Sequence, residues 1–449
     1  MKVKFLGAAG TVTGSSYVLT SGSGQSILID LGMFQGLPET DALNYKPFEY
    51  DVSQLSGAVL THAHLDHCGR LPILLPGGFN QKVYMTAPTM DLVELSLLDS
   101  AKIAKQDHKP ILFDKVLAQK MFTHFETASF RAPFRVGSFE VTLRGAGHLM
   151  GAASLEIVDL APDSAIKKII FSGDLGNSPE DLLSDLEYLE SADAVVMEST
   201  YGDRLHPKED VETTIANEIN AVSASAGTLL IPSFALERTQ EILHIIMHLR
   251  KSGQIDGGIP VYMDSPMANR ATQIYMKHID MFNPHLQKEV GEGSAFGFEG
   301  LDILQRRNQS MAVQKRVGAK VIIAGSGMMV GGRIVSHAAH YLPLESTRLL
   351  IVGYQGEGTL GREILEGARE VMIDRQRVPV NATISEIKAM SSHADQDQLM
   401  DWLGHIKGIK KLILTHGEDE PRKVLARRIE QELEMNDILM PQLHDETTL

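Results

Sequence analysis

Residues 61–67 read Thr-His-Ala-His-Leu-Asp-His and close a short apolar run that begins at Ala58. Three imidazoles and one carboxylate therefore fall within six residues. With 17 His and 57 acidic residues in a chain of 449, chance would produce this combination about 0.003 times. Neutral imidazole and carboxylate oxygen are ligands that zinc accepts, and a tight loop after a strand can direct all four side chains to one point. The stretch predicts a metal centre at the end of a buried strand.

Four more candidate residues share this placement. Each comes at the carboxyl end of a predicted strand with glycine nearby, and they are Asp30, His148, Asp174 and His416. Taken singly, an Asp near Gly is a common turn former, and a single His at a strand end is usually a hydrogen-bonded core residue. Their shared placement favours one site built from several strands.

The composition is that of a globular protein. Hydrophobic residues make up 43% and charged residues 22%, which excludes a mostly disordered chain, a collagen and a coiled coil. The sequence shows no apolar run near the roughly 18 residues of a membrane helix and no signal-peptide layout. The single cysteine excludes a disulfide framework, so we expect a cytoplasmic protein. The net charge of −15 argues against coating nucleic acid by bulk charge, although it allows a local basic groove.

The pattern of predicted elements changes along the chain. Short strands dominate up to about residue 202. A strand–loop–helix rhythm follows, with a helix over Val211–Ser225, a strand over Thr228–Pro232 and a helix over Glu237–Lys251, which predicts a parallel doubly wound sheet. From about residue 382 the chain returns to a strand over Leu412–Thr415 and a helix over Arg422–Leu433. The sequence thus predicts a sandwich-like α/β unit, a second α/β unit and a closing segment.

Three further motifs read Glu198-Ser199-Thr200-Tyr201-Gly202, Ser392-His393-Ala394-Asp395 and His416-Gly417-Glu418. Together with the histidine cluster and the glycine-rich strings 324–329 and 353–360, they resemble the metallo-β-lactamase-fold hydrolases, and more narrowly the β-CASP nucleases, over essentially the whole chain. The resemblance implies an α/β fold, a four-layer αβ/βα sandwich interrupted by a β-CASP α/β domain with a doubly wound parallel sheet. The expected domains are the first part of the sandwich (1–204), the β-CASP cap (205–380) and the closing segment of the sandwich (381–449).

The resemblance also implies a ligand set for two zinc ions per chain, with manganese as the alternative metal. One ion is held by His62, His64 and His148. The other is held by Asp66, His67 and His416. Asp174 bridges the two ions, and Asp30 orients a ligand imidazole from behind.

The implied chemistry is hydrolysis of a phosphodiester bond. A hydroxide between the metals would be the nucleophile, and His393, oriented by Glu198, would protonate the leaving oxygen. The catalytic residues are thus Asp66, Asp174, Glu198 and His393. A histidine at position 416 resembles the RNA-cleaving branch, where the DNA-repair branch usually carries valine. We expect a ribonuclease that acts on single-stranded RNA and leaves 5′-phosphate ends, similar to RNase J and the messenger RNA 3′-end endonuclease but of a short bacterial type, with endo- or exonuclease mode left open.

Contacts to RNA are expected in loops that follow strands of the cap. Backbone N–H groups and guanidinium groups there can bind phosphate, and an exposed tyrosine can stack a base. The candidate residues are Ser233, Arg238, Ser326, Arg333 and Tyr354. The alternative is that the same loop residues only cap helices. Single-stranded RNA is the expected partner, a membrane is not, and a homodimer is left open.

The sequence also allows two other functions and contains two other histidine pairs. The same metal centre could hydrolyse a small phosphodiester or ester, and a catalytically silent protein could bind RNA as a scaffold. Glu198, His393 and the large cap argue against the small-substrate hydrolase, and the complete ligand set argues against the scaffold. The pairs His244/His248 and His337/His340 have helical spacing, but no carboxylate motif accompanies them, so neither is predicted to bind metal.

Overall fold

The structure is a computed structural model that describes residues 1–106, 110–162, 166–178, 182–356 and 358–449. The strands in chain order are β1 (Lys2–Gly7), β2 (Ser16–Thr20), β3 (Ser26–Ile29), β4 (Leu55–Val59), β5 (Val83–Met85), β6 (Phe125–Thr127), β7 (Phe134–Val136), β8 (Phe139–Gly145), β9 (Ala153–Asp159), β10 (Lys168–Phe171), β11 (Ala194–Met197), β12 (Thr228–Pro232), β13 (Val261–Asp264), β14 (Leu301–Ile303), β15 (Lys320–Ala324), β16 (Thr347–Ile351), β17 (Glu370–Ile373), β18 (Gln376–Pro379), β19 (Thr383–Glu386), β20 (Lys411–Leu414), β21 (Ile438–Leu439) and β22 (Glu446–Thr448).

The helices in chain order are α1 (Pro38–Asp41), α2 (Leu65–Cys68), α3 (Ala87–Gln106), α4 (Lys115–Phe122), α5 (Val211–Ser225), α6 (Arg238–Lys251), α7 (Pro266–Lys277), α8 (Pro284–Glu292), α9 (Arg307–Gln314), α10 (Gly332–Tyr341), α11 (Leu360–Leu365), α12 (Gln396–His405) and α13 (Asp419–Glu432). The chain divides into unit 1, residues 1–205 with 392–449, and unit 2, residues 206–391.

Unit 1 contains two seven-stranded sheets. Their strand orders are β22-β1-β2-β3-β4-β5-β6 and β21-β20-β11-β10-β9-β8-β7. Strands β3, β4 and β5 run parallel in the first sheet, and β10, β11 and β20 run parallel in the second. Because parallel neighbours end at the same edge of a sheet, loops that are far apart in the sequence meet at the carboxyl ends of these strands.

Both faces of the second sheet are buried, which explains its continuous apolar runs. Successive side chains of a strand point to opposite faces. In β10, Ile169 and Phe171 pack between the two sheets with Phe139. Ile170 faces the other way and packs with Trp402 of α12. Outside the first sheet, α3 packs against α4 and β6. The layers of unit 1 are therefore helix, sheet, sheet, helix, the four-layer αβ/βα sandwich.

Unit 2 is built on a six-stranded sheet in which every pairing is parallel. Its strand order is β14-β13-β15-β12-β16-β19. Ile334 and Ala338 of α10 pack on Ile322 of β15 in one core cluster, whereas α5 contacts β12, β15 and β16 with buried residues outside that cluster. A short β17–β18 hairpin follows. This is the predicted doubly wound α/β domain.

The second unit boundary falls later than the sequence suggested. The predicted closing segment began at residue 381. In the structure, β19 pairs in parallel with β16 of unit 2, with Arg348 opposite Thr383 and Ile351 opposite Glu386. None of its four residues is fully buried and their burial does not alternate, so its sequence carries little sign of the sheet to which it belongs. Compact unit 2 therefore extends to residue 391.

Candidate metal centre

Asp30 holds the histidine-rich loop, residues 61–67, in place through hydrogen bonds. Its carboxylate accepts hydrogen bonds from the Thr61 backbone N–H and hydroxyl, both at 2.8 Å, and lies 2.7 Å from Nδ1 of His67. Asp30 is buried and has a φ of 54°, a conformation that a non-glycine residue adopts at a local cost. A Cβ at Gly32 would lie 1.5 Å from the carbonyl oxygen of Asp66, so this close approach of strand end and loop requires glycine.

The first ligand group consists of His62, His64, His148 and Asp174, whose ligand atoms all lie within 4.8 Å of one another. Nδ1 of His64 is 3.1 Å from Nε2 of His62 and 3.2 Å from Nε2 of His148. Oδ2 of Asp174 is 3.5 Å and 3.7 Å from the same two Nε2 atoms. Tetrahedral zinc with bonds of about 2.0–2.1 Å places its ligand atoms about 3.3 Å apart, and the four atoms match this spacing.

The second ligand group consists of Asp66, His67, His416 and the same Asp174. Nε2 of His67 and Nε2 of His416 are 3.2 Å apart. Oδ1 of Asp174 lies 3.3 Å from the former and 3.6 Å from the latter. Oδ2 of Asp66 is 3.4 Å from Nε2 of His416. These separations also suit tetrahedral coordination.

Asp174 faces both groups with different oxygens, Oδ2 toward the first and Oδ1 toward the second. Oδ1 is buried and makes no hydrogen bond within the described residues. A buried carboxylate oxygen without a well-formed hydrogen bond is costly, and a cation between Oδ1 and the Nε2 atoms of His67 and His416 would compensate its charge. The donor set and this orphaned oxygen both fit a pair of metal ions.

The ring orientations also suit metal binding. Four imidazoles are held through Nδ1 and present Nε2 to the groups. The four contacts of Nδ1 are His62 with the Thr61 hydroxyl at 3.1 Å, His67 with Asp30 at 2.7 Å, His148 with the Ser392 carbonyl at 2.9 Å, and His416 with the Thr200 hydroxyl at 3.0 Å. Such outer contacts fix the tautomer and the ring of a metal ligand. The sequence reasoning identified Asp30 in this role but missed Thr61, Thr200 and the Ser392 carbonyl, since a lone hydroxyl or carbonyl leaves no distinctive pattern.

Protonation of the two groups differs. Burial lowers the pKa of His62 and His148 well below the usual value, so both imidazoles are neutral and have a lone pair for a metal. Burial also lowers the pKa of His67, but the carboxylates of Asp174 and Asp30 outweigh it and raise that pKa well above the usual value. Metal binding to the second group must therefore displace a proton from His67.

His393 and Glu198 form a pair beside the two groups. Nδ1 of His393 is 3.2 Å from both carboxylate oxygens of Glu198, and Nε2 is 4.0 Å from Oδ2 of Asp174. Burial lowers the pKa of His393, but the Glu198 carboxylate and its hydrogen bond outweigh burial and raise the pKa to about 9. Glu198 is itself fixed by the backbone N–H of Leu175, which donates to Oε1 at 2.6 Å.

The five residues predicted to bind RNA lie in unit 2, and the two arginines among them form ion pairs within that unit. Arg238 is buried and forms an ion pair with Glu241, one turn along α6. Arg333 pairs with the buried Asp264 and donates to the carbonyl oxygens of Leu304 at 2.9 Å and Gln305 at 2.7 Å. Both guanidinium groups therefore act within the fold, and the geometry gives no support to them as phosphate contacts.

The other three residues follow strands of the parallel sheet. Ser233 comes after β12 and is buried. Ser326 comes after β15, and its hydroxyl accepts a hydrogen bond from the Val330 backbone N–H at 3.1 Å. Tyr354, after β16, is 55% exposed. The sequence did not indicate Phe234, which also follows β12. Its side chain is 36% exposed and lies against the backbone of Gly327 and Gly353.

Among the described residues, no helix combines the length and apolar composition that crossing a bilayer requires.

The fold and the site define a metal-dependent hydrolase of the metallo-β-lactamase superfamily, and three family descriptions agree. The metallo-beta-lactamase superfamily matches residues 9–210, the Beta-Casp domain matches 239–364, and the Zn-dependent metallo-hydrolase RNA specificity domain matches 377–441. A solved protein of unknown function from Enterococcus faecalis V583 shares the fold, with a TM-score of 0.55 at 12% identity over 100% of this chain and 99% of that chain.

Three similar proteins indicate the family within this superfamily. Ribonuclease TTHA0252 from Thermus thermophilus is 36% identical over 428 residues, which are 95% of each chain. RNase aCSPSF2 from Saccharolobus solfataricus is 30% identical over 100% of this chain and 85% of the relative. Transcription termination factor FttA from Methanocaldococcus jannaschii is 29% identical over 93% of this chain and 67% of the relative. The chain belongs to the β-CASP family of metal-dependent nucleases.

Proposed function

We propose that the protein is a ribonuclease that binds two zinc ions, hydrolyses phosphodiester bonds of single-stranded RNA and leaves 5′-phosphate ends. The observation that carries this proposal is the placement of Asp174, whose two oxygens face two separate groups of ligand atoms with the spacing of tetrahedral zinc. Relatives named as ribonucleases and the match to an RNA specificity domain over residues 377–441 support RNA as the substrate.

His62, His64 and His148 would hold one ion, and Asp66, His67 and His416 the other, with Asp174 shared. When bound, two zinc ions lower the pKa of a water molecule and stabilise negative charge on phosphate oxygens. The chain contributes rigidity: the imidazole contacts of Thr61, Asp30, Thr200 and the Ser392 carbonyl hold each ring in place before metal or substrate arrives.

His393 is proposed to supply the proton that the leaving oxygen needs. Burial lowers the pKa of His393, but the Glu198 carboxylate outweighs burial and raises it, which favours the protonated imidazole that a general acid requires. Glu198 accepts from Nδ1, so Nε2 carries the second proton on the side of Asp174. Glu198 thus acts as a positioning residue, because it fixes both the ring and its charge.

RNA would be retained by stacking as well as by the metals. Tyr354 and Phe234 are exposed aromatic side chains on loops after neighbouring parallel strands of unit 2. Base stacking on such a ring contributes about 1–3 kcal/mol per base and accepts any base. Ser233 and Ser326 remain proposed phosphate contacts through their loops. Arg238 and Arg333 are already neutralised by carboxylates, so they add little positive charge for RNA.

Cleavage of end-labelled single-stranded RNA and DNA of the same sequence tests this function. We expect the zinc-loaded protein to cut RNA and to yield ends that ligate without prior phosphorylation. Asp174→Asn should abolish cleavage, while His340→Gln, at a histidine of unit 2 distant in sequence from every proposed ligand, should not change it. Equal cutting of DNA would refute the RNA assignment. Binding of RNA without cleavage at full zinc occupancy would favour a scaffold, and hydrolysis of small phosphodiesters alone would favour a small-substrate hydrolase.

A further inference from the structure

Helix α6 carries two imidazoles one turn apart, and the fold adds a carboxylate that the sequence did not place beside them. Nε2 of His248 lies 3.0 Å from Oε2 of Glu289, which comes from α8. The rings of His244 and His248 have centroids 4.4 Å apart. One ligand atom from each of the three residues lies within 4.8 Å of the other two.

We propose that His244, His248 and Glu289 bind a divalent transition-metal ion, zinc foremost, at a site that is separate from the ligand groups of unit 1. Two imidazoles and a carboxylate are a ligand set that zinc takes when a fourth position is left to water. Histidines at i and i+4 share one face of a helix, so α6 presents both rings to α8.

The surroundings of the three side chains support a metal site. Nδ1 of His244 lies 3.3 Å from the carbonyl oxygen of Ala295. Since a carbonyl only accepts, Nδ1 carries a hydrogen, and such a contact is typical behind a metal-bound imidazole. His244 is buried, whereas the side chain of His248 is 32% exposed. The group is thus sheltered on one side and open to solvent on the other.

Lys251 would compete with a bound metal ion for the carboxylate of Glu289. Its Nζ lies 2.6 Å from Oε1 of Glu289, while His248 contacts Oε2. The Lys251 side chain is 59% exposed, so its ion pair with Glu289 is weak. Burial raises the pKa of Glu289, but Lys251 and His248 outweigh it and lower that pKa, which leaves an ionised carboxylate at neutral pH. A bound cation would replace the His248–Glu289 contact and connect α6 to α8.

The second histidine pair provides a matched control. His337 and His340 lie on α10, and Nε2 of His337 is 2.8 Å from Oδ2 of the buried Asp264. Within the described parts of the chain, His340 belongs to no group of three metal-ligating side chains. Its replacement removes an imidazole from unit 2 without affecting the proposed site.

Equilibrium dialysis of the full chain against zinc tests the proposal. We expect His248→Gln and Glu289→Gln to bind one zinc ion fewer than the unaltered chain, and His340→Gln to bind the same number. Lys251→Gln should keep the number and reach half-saturation at a few-fold lower zinc concentration, because the competing cation is gone. Added zinc should raise the melting temperature less in His248→Gln than in the unaltered chain.

Equal zinc content in all four variants and the unaltered chain would overturn the proposal. His248 and Glu289 would then form an ion pair and no metal site. Circular dichroism and melting in chelator show whether each variant folds. Should Glu289→Gln fail to fold, the Lys251→Gln titration still decides, since that side chain is exposed: an unchanged half-saturation would count against the site. Because none of these residues belongs to the proposed catalytic groups, RNA cleavage by the variants reports on the ribonuclease proposal separately.

Discussion

Nδ1 of His393 lies equidistant, at 3.2 Å, from the two carboxylate oxygens of Glu198. The carboxylate is buried and receives a backbone hydrogen bond from Leu175 at 2.6 Å, so it is a fixed negative charge. A fixed anion behind an imidazole both orients the ring and favours its protonated form. Nε2 of His393 lies 4.0 Å from Oδ2 of Asp174, so a test of this pair must measure zinc content as well as activity.

Replacing His393 should slow cleavage while sparing the metals. We expect His393→Ala to retain its zinc content and to cleave RNA roughly 10²–10⁴-fold more slowly, the usual contribution of a general acid. A p-nitrophenyl phosphodiester should be affected much less, since its leaving group needs no proton. Elemental analysis and single-turnover rates measure both quantities. An equal loss on both substrates, or a loss of zinc, would show that His393 is a ligand or a structural residue.

Removing the charge behind His393 should change the pH profile of cleavage. The Glu198 carboxylate outweighs burial and raises the pKa of His393, so the acid form is present below the raised pKa and is lost above it. Glu198→Gln keeps the shape of the side chain but removes the anion, and the pKa should fall toward the value that burial favours. The alkaline limb of kcat should therefore move to lower pH. A uniform loss of rate with an unchanged profile would rule out this electrostatic role.

A shared carboxylate should couple the two metal ions. Asp174→Ala removes Oδ2 from the first group and Oδ1 from the second, so we expect zinc occupancy to fall in both. His148→Ala, which removes a ligand atom from the first group alone, is the matched comparison and should mainly deplete one ion. Zinc per chain after gentle purification distinguishes the two patterns. Loss of a single ion in Asp174→Ala would mean that the bridge is misassigned.

Asp30 should matter to both stability and metal retention. Asp30→Ala leaves the Thr61 N–H and Nδ1 of His67 without their acceptor, and each unsatisfied buried group costs about 1–3 kcal/mol. We expect a lower melting temperature in chelator and weaker zinc binding by the second group. Asp397→Ala, which removes an exposed partner of Arg428, should change neither. Unaltered zinc affinity in Asp30→Ala would limit this residue to folding.

If an RNA base stacks on Tyr354, replacement of this residue should impair cleavage of long substrates more than of small ones. Tyr354→Ala should raise KM for single-stranded RNA, since one stacked base is worth about 1–3 kcal/mol, and should leave hydrolysis of a small phosphodiester unchanged. Met372, an exposed apolar residue of β17, provides the control variant Met372→Ala. If Tyr354→Ala impaired both substrates alike, the ring would act in the fold and not in RNA binding.

Local sequence patterns predicted several strands and helices correctly, because these elements depend mainly on the residues within them. The buried strands β10, β11 and β20 have uninterrupted apolar runs, and the residue after each run is held at a sheet edge by parallel pairing. The predicted helix over Val211–Ser225 coincides with α5. The convergence of Asp30, Asp174 and His416 followed from their positions at strand ends. The roles of Asp174 and His416 as metal ligands, and of Asp30 in orienting a ligand, remain predictions.

The sequence did not predict contacts between side chains that are far apart in the chain. Arg333 looked like a phosphate contact because it follows a glycine-rich loop, but it pairs with Asp264, 69 residues away. Likewise, His244 and His248 gain Glu289 only through the packing of α8. A side chain's charge is visible in the sequence, whereas the group that neutralises it is set by tertiary contacts, which no local window contains.

The order of the ligands along the chain has a consequence for synthesis. The first proposed ligand is His62 and the last is His416, and all of unit 2 is translated between the two halves of unit 1. Strand β20, which carries His416 at its end, completes its pairing with β11 only after about two hundred intervening residues. A chain that ends before residue 416 therefore lacks the last proposed ligand. The proposed second ligand group can therefore form only after all of unit 2 has been translated.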